Sequence, residues 1–222
     1  TNTRSQYTYL GATDWYDEIF DDLGISHSHN LSVSGATKKV SYYLGTEYYG
    51  ESGLLAYNKD QYSRFNVRSK VEYQLADWLK LGNNTALTYY RYDRPTQFDD
   101  WIFATLLESN VLYPVYNPDG SFTQEGAQTV GALLYGGDST SKNTNVYTQF
   151  TAQADLVEDV WSIKADFTAK IDETRQNTWQ SDREITYRTG PDPVDIPLGW
   201  ENYAHRLSDQ TIYTLLNLYT DF

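Results

Sequence analysis

The chain has 222 residues, no cysteine and a formal net charge of −13 at pH 7. The absence of cysteine excludes a disulfide framework, a thiolate metal site and a cysteine nucleophile. The acidic balance argues against a nucleic-acid partner, since no basic stripe is present to neutralise phosphates. Aromatic residues make up 16% of the chain, although its mean hydropathy is −0.63, and this combination indicates many half-buried strands.

Seven segments alternate apolar and polar residues with the period of two that is typical of β-strands. The clearest is the third, in which Phe65 and Val67 alternate with Asn66 and Arg68. The sixth, from Trp161 to Ile171, alternates in the same way. In chain order, the predicted strands are residues 30–36, 39–49, 62–75, 79–91, 144–157, 160–175 and 210–222.

The connections between these strands fall into two classes that alternate along the chain. The short ones are tight turns, at Gly35–Lys39, Ala76–Trp78 and Glu158–Val160. The long ones run over Gly50–Gln61, Tyr92–Asn143 and Ser181–Gln210. In an antiparallel meander this order sends every tight turn to one end and every long loop to the other, which is the asymmetry of outer-membrane barrels.

The pattern predicts an all-β fold, namely a segment of an antiparallel transmembrane β-barrel with long extracellular loops. The third, fourth and sixth strands reach the about 9–11 residues that a tilted strand needs to cross the hydrocarbon layer. Trp78 and Trp161 lie at tight-turn ends, where an interfacial girdle of aromatic residues is expected. Seven strands leave two open edges, and bacterial single-chain barrels have even strand numbers, so we expect a partial barrel.

The second long connection is predicted to contain a helix. The segment Thr96–Asp99 resembles a capping box, and Asp99 and Asp100 would lie in the first turn. Helical spacing of apolar residues then continues to about Asn110, and Asn117–Gly120 has the composition of a turn. The loop should therefore be partly ordered.

An ordered series of short motifs resembles the barrel region of SusC/RagA-type TonB-dependent transporters. The similarity covers roughly residues 13 to 160 well and the rest only by strand pattern. Ala36 stands where a second glycine is usual after Ser-Gly. The motifs are TDWYDEIF at 13–20, HNLSVSG at 29–35, VSYY at 40–43, YSRFNVR at 62–68, DWLKLG at 77–82 and YPVYNPDG at 113–120.

The resemblance implies a larger protein: a barrel of 22 strands with an N-terminal plug, a carboxypeptidase-regulatory-like domain and a TonB box. On that basis residues 1–28 are an extracellular loop region, and residues 29–222 are a partial barrel that follows the first strand. The implied activity is import of oligomeric nutrients, glycans or peptides, across the bacterial outer membrane. The implied partners are a SusD-like surface lipoprotein, TonB through the N-terminal parts, and membrane lipid. No cofactor and no metal are expected.

Four aromatic residues in the two longest loops are the candidates for substrate or partner binding: Trp101, Tyr113, Tyr116 and Trp200. Their rings can stack on sugars or pack against a lipoprotein, and internal packing of the loops is an equally good interpretation. Charged residues on the polar strand faces would contact the plug or line the solute path, with structural salt bridges as the favoured interpretation. They are Arg68, Lys70, Glu72, Lys164 and Asp166.

Other chemistry has weaker support. His27 and His29 share a strand face but have no evident third ligand. Asp99–Asp100 and Asp192–Asp195 are explained by capping and solvation rather than acid–base catalysis, and His205 alone makes no triad, so no enzyme is predicted. The alternative function is a soluble or surface-attached β-rich carbohydrate-binding module, which loop sorting and strand length disfavour.

Overall fold

The structure is a computed structural model that describes residues 10–58, 60–157, 160–181, 185–191 and 194–221. Glu158 in the predicted third tight turn, Asp192 of the carboxylate pair and Phe222 at the end of the last predicted strand lie outside these ranges. The long strands are β1 Ser26–Ala36, β2 Val40–Ser52, β3 Gln61–Ala76, β4 Leu79–Pro95, β5 Asp138–Val157, β6 Trp161–Gln180 and β9 Tyr203–Asp221. The shorter elements are β7 Thr186–Tyr187, β8 Ile196–Pro197, α1 Trp15–Ile19, α2 Asp100–Glu108, α3 Gln124–Gly126, a π-helical turn Ala127–Gly131 and α4 Ala132–Tyr135.

The seven long strands form one antiparallel sheet in the order β1-β2-β3-β4-β5-β6-β9. Each strand pairs with the one before it in the sheet, as in a meander. The predicted all-β antiparallel architecture is confirmed, and the sheet is not closed, since β1 and β9 form its two edges. We call this sheet the wall.

The strands extend further than the alternation of apolar residues predicts. β1 begins at Ser26, inside the segment predicted as a loop, and β5 begins at Asp138 rather than residue 144. At the same end, β6 continues to Gln180 and β9 begins at Tyr203. The ladder of backbone hydrogen bonds continues there through polar residues, whose alternation in hydropathy carries no signal.

Pairing without a register shift across the middle of the wall aligns the apolar residues of successive strands in rows. One row runs from Val67 through Leu87, Val146 and Ile171 to Ile212. Side chains two residues apart share a face, so these rows form one apolar face of the wall. The opposite polar face carries the alternating residues, among them the predicted charged side chains.

The turns sort to the two ends of the wall as the sequence predicts. Thr37–Lys39 and Asp77–Trp78 connect strands at one end, the turn end. Residues 53–60, 96–137 and 181–202 connect strands at the other end, the loop end. Apart from Pro95 at the end of β4, the buried hydrophobic side chains among the described residues lie outside the long strands, in residues 15–19, 55, 102 and 115–133 and in Ile185.

In the part of the chain that the structure describes, no helix has the length and apolarity that crossing a membrane requires.

Candidate functional site

The candidate site is a packed layer at the loop end of the wall. It consists of residues 10–25, 53–58 and 60, 96–137, and the described parts of 181–202, and we call it the loop layer. One hydrophobic cluster connects residues from three of these segments. Its buried members are Trp15, Ile19, Leu55, Ile102, Val115, Val130 and Leu133.

The N-terminal segment contributes a helix that the sequence analysis missed. Asp14 caps α1 by accepting hydrogen bonds from the backbone N–H groups of Tyr16 and Asp17, at 3.0 and 3.3 Å. Trp15 and Ile19, four residues apart, point from one face of α1 into the cluster. Trp15 also donates from Nε1 to the carbonyl of Asn110 at 3.2 Å. The signal was present in the sequence as a good N-cap followed by two apolar residues at helical spacing.

Backbone hydrogen bonds fix this N-terminal segment to two other loops. Gly11 N–H donates to the Leu112 carbonyl at 2.7 Å, and Thr13 N–H donates to Val111 at 2.8 Å. Beyond α1, Ala56 N–H donates to the Ile19 carbonyl at 2.9 Å. The segment predicted as a loop region is therefore a bridge between the β2–β3 and β4–β5 connections.

The helix predicted in the second long connection is present as α2, but its start was misplaced. Asp99, not Thr96, is the N-cap, and its side chain accepts from Trp101 N–H at 3.0 Å. Thr96 lies outside the helix, and its hydroxyl donates to the Trp179 carbonyl at 2.6 Å. Its backbone N–H donates to the Gly137 carbonyl at 2.9 Å. Thr96 therefore continues the backbone pairing at the loop end of the wall. A carboxylate at the first turn also interacts favourably with the helix dipole.

The predicted turn at Asn117–Gly120 is present and joins two loops. Gly120 has φ +83°, which favours glycine, and its N–H donates to Asn117 at 2.9 Å. The Asn117 amide donates to the carbonyls of Phe122 and Arg188, both at 2.9 Å. Arg188 in turn forms ion pairs with Asp119 at 3.3 Å and Asp195 at 2.6 Å. The hydrogen bond to Asp195 is the largest of the influences that raise the pKa of Arg188.

Two tyrosines of the loop layer lie near Glu18 of α1. Tyr57 donates its hydroxyl to a carboxylate oxygen of Glu18. Burial raises the pKa of Tyr57 most, and the Glu18 hydrogen bond and charge raise it further. Burial also raises the pKa of Tyr116, with the charge of Glu18 as the next cause.

The structure brings two of the four candidate aromatic residues together. Trp101 of α2 and Trp200 of the β6–β9 connection pack edge to face, with ring centroids 5.1 Å apart and an interplanar angle of 88°. The Trp101 side chain is still 37% exposed. The pair therefore joins two long loops and leaves ring surface open to a ligand.

The other two candidates occupy the segment between α2 and α3. Tyr116 stacks on Phe122 with ring centroids 5.0 Å apart and is 42% exposed. Tyr113 is 41% exposed, and its carbonyl accepts from the Thr13 hydroxyl at 2.8 Å. Their packing on neighbours and their exposed ring edges fit both internal packing and a contact surface.

A surface pocket of about 540 Å³ lies between α1 and α2, and sequence reasoning did not find it. Trp15 and Tyr16 line one side, and Leu106 and Leu107 line the other. Neither helix forms this pocket alone. It depends on α1, which lies in the segment predicted as a loop region.

On the polar face, a ladder of tyrosine rings near the loop end was also missed. Tyr49, Tyr62 and Tyr90 come from three adjacent strands, with centroids 6.0 and 6.1 Å apart. The Arg64 guanidinium lies 5.7 Å from the Tyr49 centroid and forms an ion pair with Glu47 at 3.0 Å. Tyrosine at alternate positions of consecutive strands was the available signal.

Charged residues predicted on the polar face largely form ion pairs within the wall. Glu72 lies 3.1 Å from Lys70 and 3.6 Å from Lys80. Lys164 pairs with Asp221 at 2.9 Å. Asp166 accepts hydrogen bonds from Asn217 at 2.8 Å and from Tyr219 at 3.0 Å. These geometries fit the structural interpretation of the charges.

The two N-terminal histidines of β1 lie on the same face of the strand. The ring centroids of His27 and His29 are 5.5 Å apart. Within the described ranges, no group of three or more His, Cys, Asp or Glu residues is arranged to hold a metal ion.

Comparisons with known proteins now bear on this geometry. No protein-family model matches the chain. The TonB-dependent receptor P26 of Formosa agariphila (strain DSM 15362 / KCTC 12365 / LMG 23005 / KMM 3901 / M-2Alg 35-1) is 22% identical over 178 residues, which are 76% of this chain and 17% of the receptor. A chain of the RagAB peptide importer in its "closed-closed" state superposes with a TM-score of 0.60, at 18% identity over 83% of this chain and 22% of that one. A chain of the RagAB peptide transporter superposes with a TM-score of 0.61, at the same identity and coverage.

The wall therefore has the fold of part of the sheet in these RagAB chains. It has the fold of a barrel segment in a SusC/RagA-type TonB-dependent transporter, and the resemblance that the sequence motifs indicate is confirmed. The chain spans about a fifth of the length of these relatives. They are named as a receptor, an importer and a transporter, and none is named as an enzyme.

Proposed function

We propose that this chain is part of a SusC-like, TonB-dependent transporter of the bacterial outer membrane that imports oligomeric nutrients, either glycans or peptides. The observation that carries the proposal is the apolar face of the wall, which ends a few residues short of the loop layer. On β4 this face extends from Leu79 to Tyr89. Ten residue steps of about 3.4 Å at a tilt near 45° give a height of about 25 Å, which matches the apolar band of outer-membrane barrels.

Polar side chains on the apolar face support its contact with lipid. Asn83 donates to the Thr148 hydroxyl at 3.3 Å, and Thr85 shares a hydrogen bond with Thr148 at 2.8 Å. Thr85 also donates to the side-chain oxygen of Asn83 at 3.1 Å. Because no water is available in hydrocarbon, polar groups there must bond to one another.

Aromatic residues mark both ends of the apolar face. At the loop end, Tyr48, Phe65 and Tyr89 lie directly opposite one another on three adjacent strands. At the turn end, Trp161 donates from Nε1 to the Thr220 hydroxyl at 2.7 Å, and Trp78 lies in the β3–β4 turn. Tyrosine and tryptophan prefer the two membrane–water interfaces, so these rows would fix the depth of the wall.

In this proposal the polar face lines the lumen and the loop layer lies outside the cell. Residues 10–25 then belong to the extracellular part, and the partial barrel begins with β1. The Trp101–Trp200 pair, Tyr113 and Tyr116 are proposed to contact the imported oligomer or a SusD-like lipoprotein seated on the loops. TonB would act through N-terminal parts of the protein. RagAB is a peptide importer, which supports a peptide as one of the two cargo classes.

The membrane part of the proposal is tested on the full-length protein. We expect it to fractionate with the outer membrane, to need detergent for extraction, and to migrate faster on a gel when unboiled than when boiled. The unboiled barrel stays compact, whereas boiling unfolds it. A full-length protein that is soluble without detergent would overturn the proposal in favour of a soluble binding module.

The cargo is tested by uptake in cells that lack the native gene and carry it on a plasmid. Labelled oligopeptides and oligosaccharides are supplied in parallel, with and without a functional TonB. We expect uptake of one class, dependent on TonB, and a reduced rate in the W101A/W200A variant. The matched control is W179A, a tryptophan at the loop end of β6 outside the Trp101–Trp200 pair. TonB-independent uptake of both classes at equal rates would contradict energy-coupled import.

A further inference from the structure

Three cations lie side by side on the apolar-face side of the wall, at its loop end. The register places Arg91 of β4 directly opposite Lys142 of β5, and Lys142 directly opposite Arg175 of β6. The period of two puts all three on the same face as Leu87, Val146 and Ile171. We call Arg91, Lys142 and Arg175 the cation row.

Three like charges side by side on adjacent strands repel one another, and a bound anion would relieve this repulsion. Residues directly opposite in an antiparallel pair have Cβ atoms about 5 Å apart, and like charges in that position destabilise the sheet. Two acids on the same face offset part of this charge: Asp93 accepts two hydrogen bonds from Arg91 and interacts electrostatically with Lys142, and Glu173 forms an ion pair with Arg175. One positive charge of the three is left over. Among the described residues, no acid forms an ion pair with Lys142, the central member.

The position of the cation row indicates which anion it meets. The row lies four residues beyond the last fully apolar row, that of Leu87, Val146 and Ile171. Four steps along a strand tilted by about 45° correspond to a height of about 10 Å, which carries the row past the edge of the hydrocarbon core into the polar headgroup layer, a layer about 5–8 Å thick on each side. The intervening row holds Tyr89, an interfacial residue type, together with Thr144 and Glu173.

Charge complementarity favours a phosphate. The chain as a whole carries a net charge of −13, so a local concentration of cations on its outward side is an exception to its composition. Guanidinium groups bind phosphate oxygens with two parallel hydrogen bonds, and a lysine between them adds a point charge. The Asp93 carboxylate engages only the Nε and one terminal nitrogen of Arg91, which leaves the other terminal nitrogen as a donor.

We propose that Arg91, Lys142 and Arg175 form a binding site for the phosphate of a lipid headgroup in the outer leaflet of the membrane. The proposal rests on the proposed function, because only a wall embedded in a membrane holds this row at headgroup level. The lipid anion relieves the repulsion along the row and anchors the loop end of β4, β5 and β6. The loop layer that these strands carry is thereby held at a fixed height above the membrane.

The test uses the full-length protein, purified in mild detergent and depleted of lipid, with monophosphorylated lipid A as the probe and native mass spectrometry as the readout. Because a basic residue near an anionic surface contributes roughly a five-fold factor in affinity, we expect K142Q to weaken binding about five-fold and R91Q/K142Q/R175Q on the order of a hundred-fold. The charge-matched control is K70Q/K80Q/K170Q on the polar face, which should bind the lipid as the wild type does.

Two further binding experiments identify the source of the anion. Dephosphorylated lipid A with the same acyl chains should not bind measurably at the row, and inorganic phosphate in excess should not displace the phosphorylated lipid. Displacement by inorganic phosphate would mean a soluble anion only, and would overturn the lipid assignment. Equal binding by the triple variant and the wild type would overturn the site itself.

The gel-shift assay separates this inference from the proposed function. If the unboiled wild-type protein does not migrate as a compact barrel, the membrane proposal fails and the cation row fails with it. If the protein does behave as a barrel but the triple variant keeps its lipid, only the cation row is wrong.

Discussion

The wall and the loop layer are stabilised in opposite ways. The loop layer has a hydrophobic core of its own, in which Ile19, Leu55, Ile102 and Leu133 are fully buried. On the wall, by contrast, large apolar side chains such as Phe150 and Leu216 remain exposed. What holds the wall together in the structure is the continuous ladder of backbone hydrogen bonds through seven strands.

The difference follows from the solvent that each region meets in the proposed setting. A loop layer in water must bury its apolar side chains against one another, because removing apolar surface from water is its main source of stability. A wall in lipid needs no second layer of protein on its apolar face, since hydrocarbon covers that face. The two regions should therefore respond differently to the same kind of substitution.

The largest effect is expected from truncating the core of the loop layer. Ile102→Ala removes a fully buried side chain of α2 and should lower the stability of the loop layer by about 2–5 kcal/mol, because a cavity is added to the lost burial. The measurement is hydrogen exchange of the full-length protein, which should rise in residues 96–137 and around α1 while the wall stays protected.

The control lies on the same helix. Leu107 is 89% exposed, so Leu107→Ala should leave exchange unchanged to within about 0.5 kcal/mol, as surface substitutions usually do. Equal effects of the two substitutions would mean that α2 is not packed on the core as the structure has it.

The next largest effect is expected from placing a charge on the apolar face of the wall. Phe150 on β5 lies opposite Asn83 and Phe167, near the middle of the band. Phe150→Arg should cost about 2–4 kcal/mol in a lipid bilayer, as arginine does near the midplane of a transmembrane barrel. Gln149→Arg, one residue away on the polar face, is the matched control and should cost far less. The measurement is urea unfolding of the full-length protein in vesicles, and equal costs would argue against lipid contact.

The wall was predictable because one physical rule governs its whole length. Alternation of apolar and polar residues marks every strand that crosses the apolar band, and tight turns fix which strands are neighbours. The rule fails where both faces become polar, as at Lys142 on β5 and His205 on β9, so the strand ends were predicted short. Backbone pairing continues there independently of hydropathy.

The loop layer was predictable only in pieces. The Asn117–Gly120 turn and the body of α2 have local signals, and both are present. The predicted start of α2 was wrong because Thr96 forms a hydrogen bond to Trp179, which is 83 residues away in the sequence. The packing of Trp15 against Asn110 spans 95 residues, and no local pattern reports such contacts. The contact between Trp101 and Trp200 likewise joins residues far apart in the sequence, so no local pattern predicts it.

A smaller effect is expected from the Trp101–Trp200 pair. Edge-to-face aromatic pairs contribute about 0.5–1.5 kcal/mol beyond the area they bury. A double-mutant cycle of W101A, W200A and the double variant should therefore show coupling of that size in the thermal stability of the loop layer. The readout is protease resistance of the full-length protein against temperature. Strictly additive single effects would mean that the two loops do not meet through these rings.

The smallest effect is a pH dependence of the loop layer. Burial raises the pKa of Tyr57 above its ordinary value, and the hydrogen bond to Glu18 raises it further. In the unfolded chain the phenol titrates near pH 10. A raised pKa in the folded state stabilises that state fully below about pH 10, and the stabilisation is lost as the pH rises from there towards the folded pKa. Tyr57→Phe should therefore remove part of the stability loss above pH 10, measured as protease resistance, whereas Tyr16→Phe at an exposed position of α1 should not. The hydrogen bond that titrates joins α1 to the β2–β3 connection, so this loss of stability should appear in the loop layer.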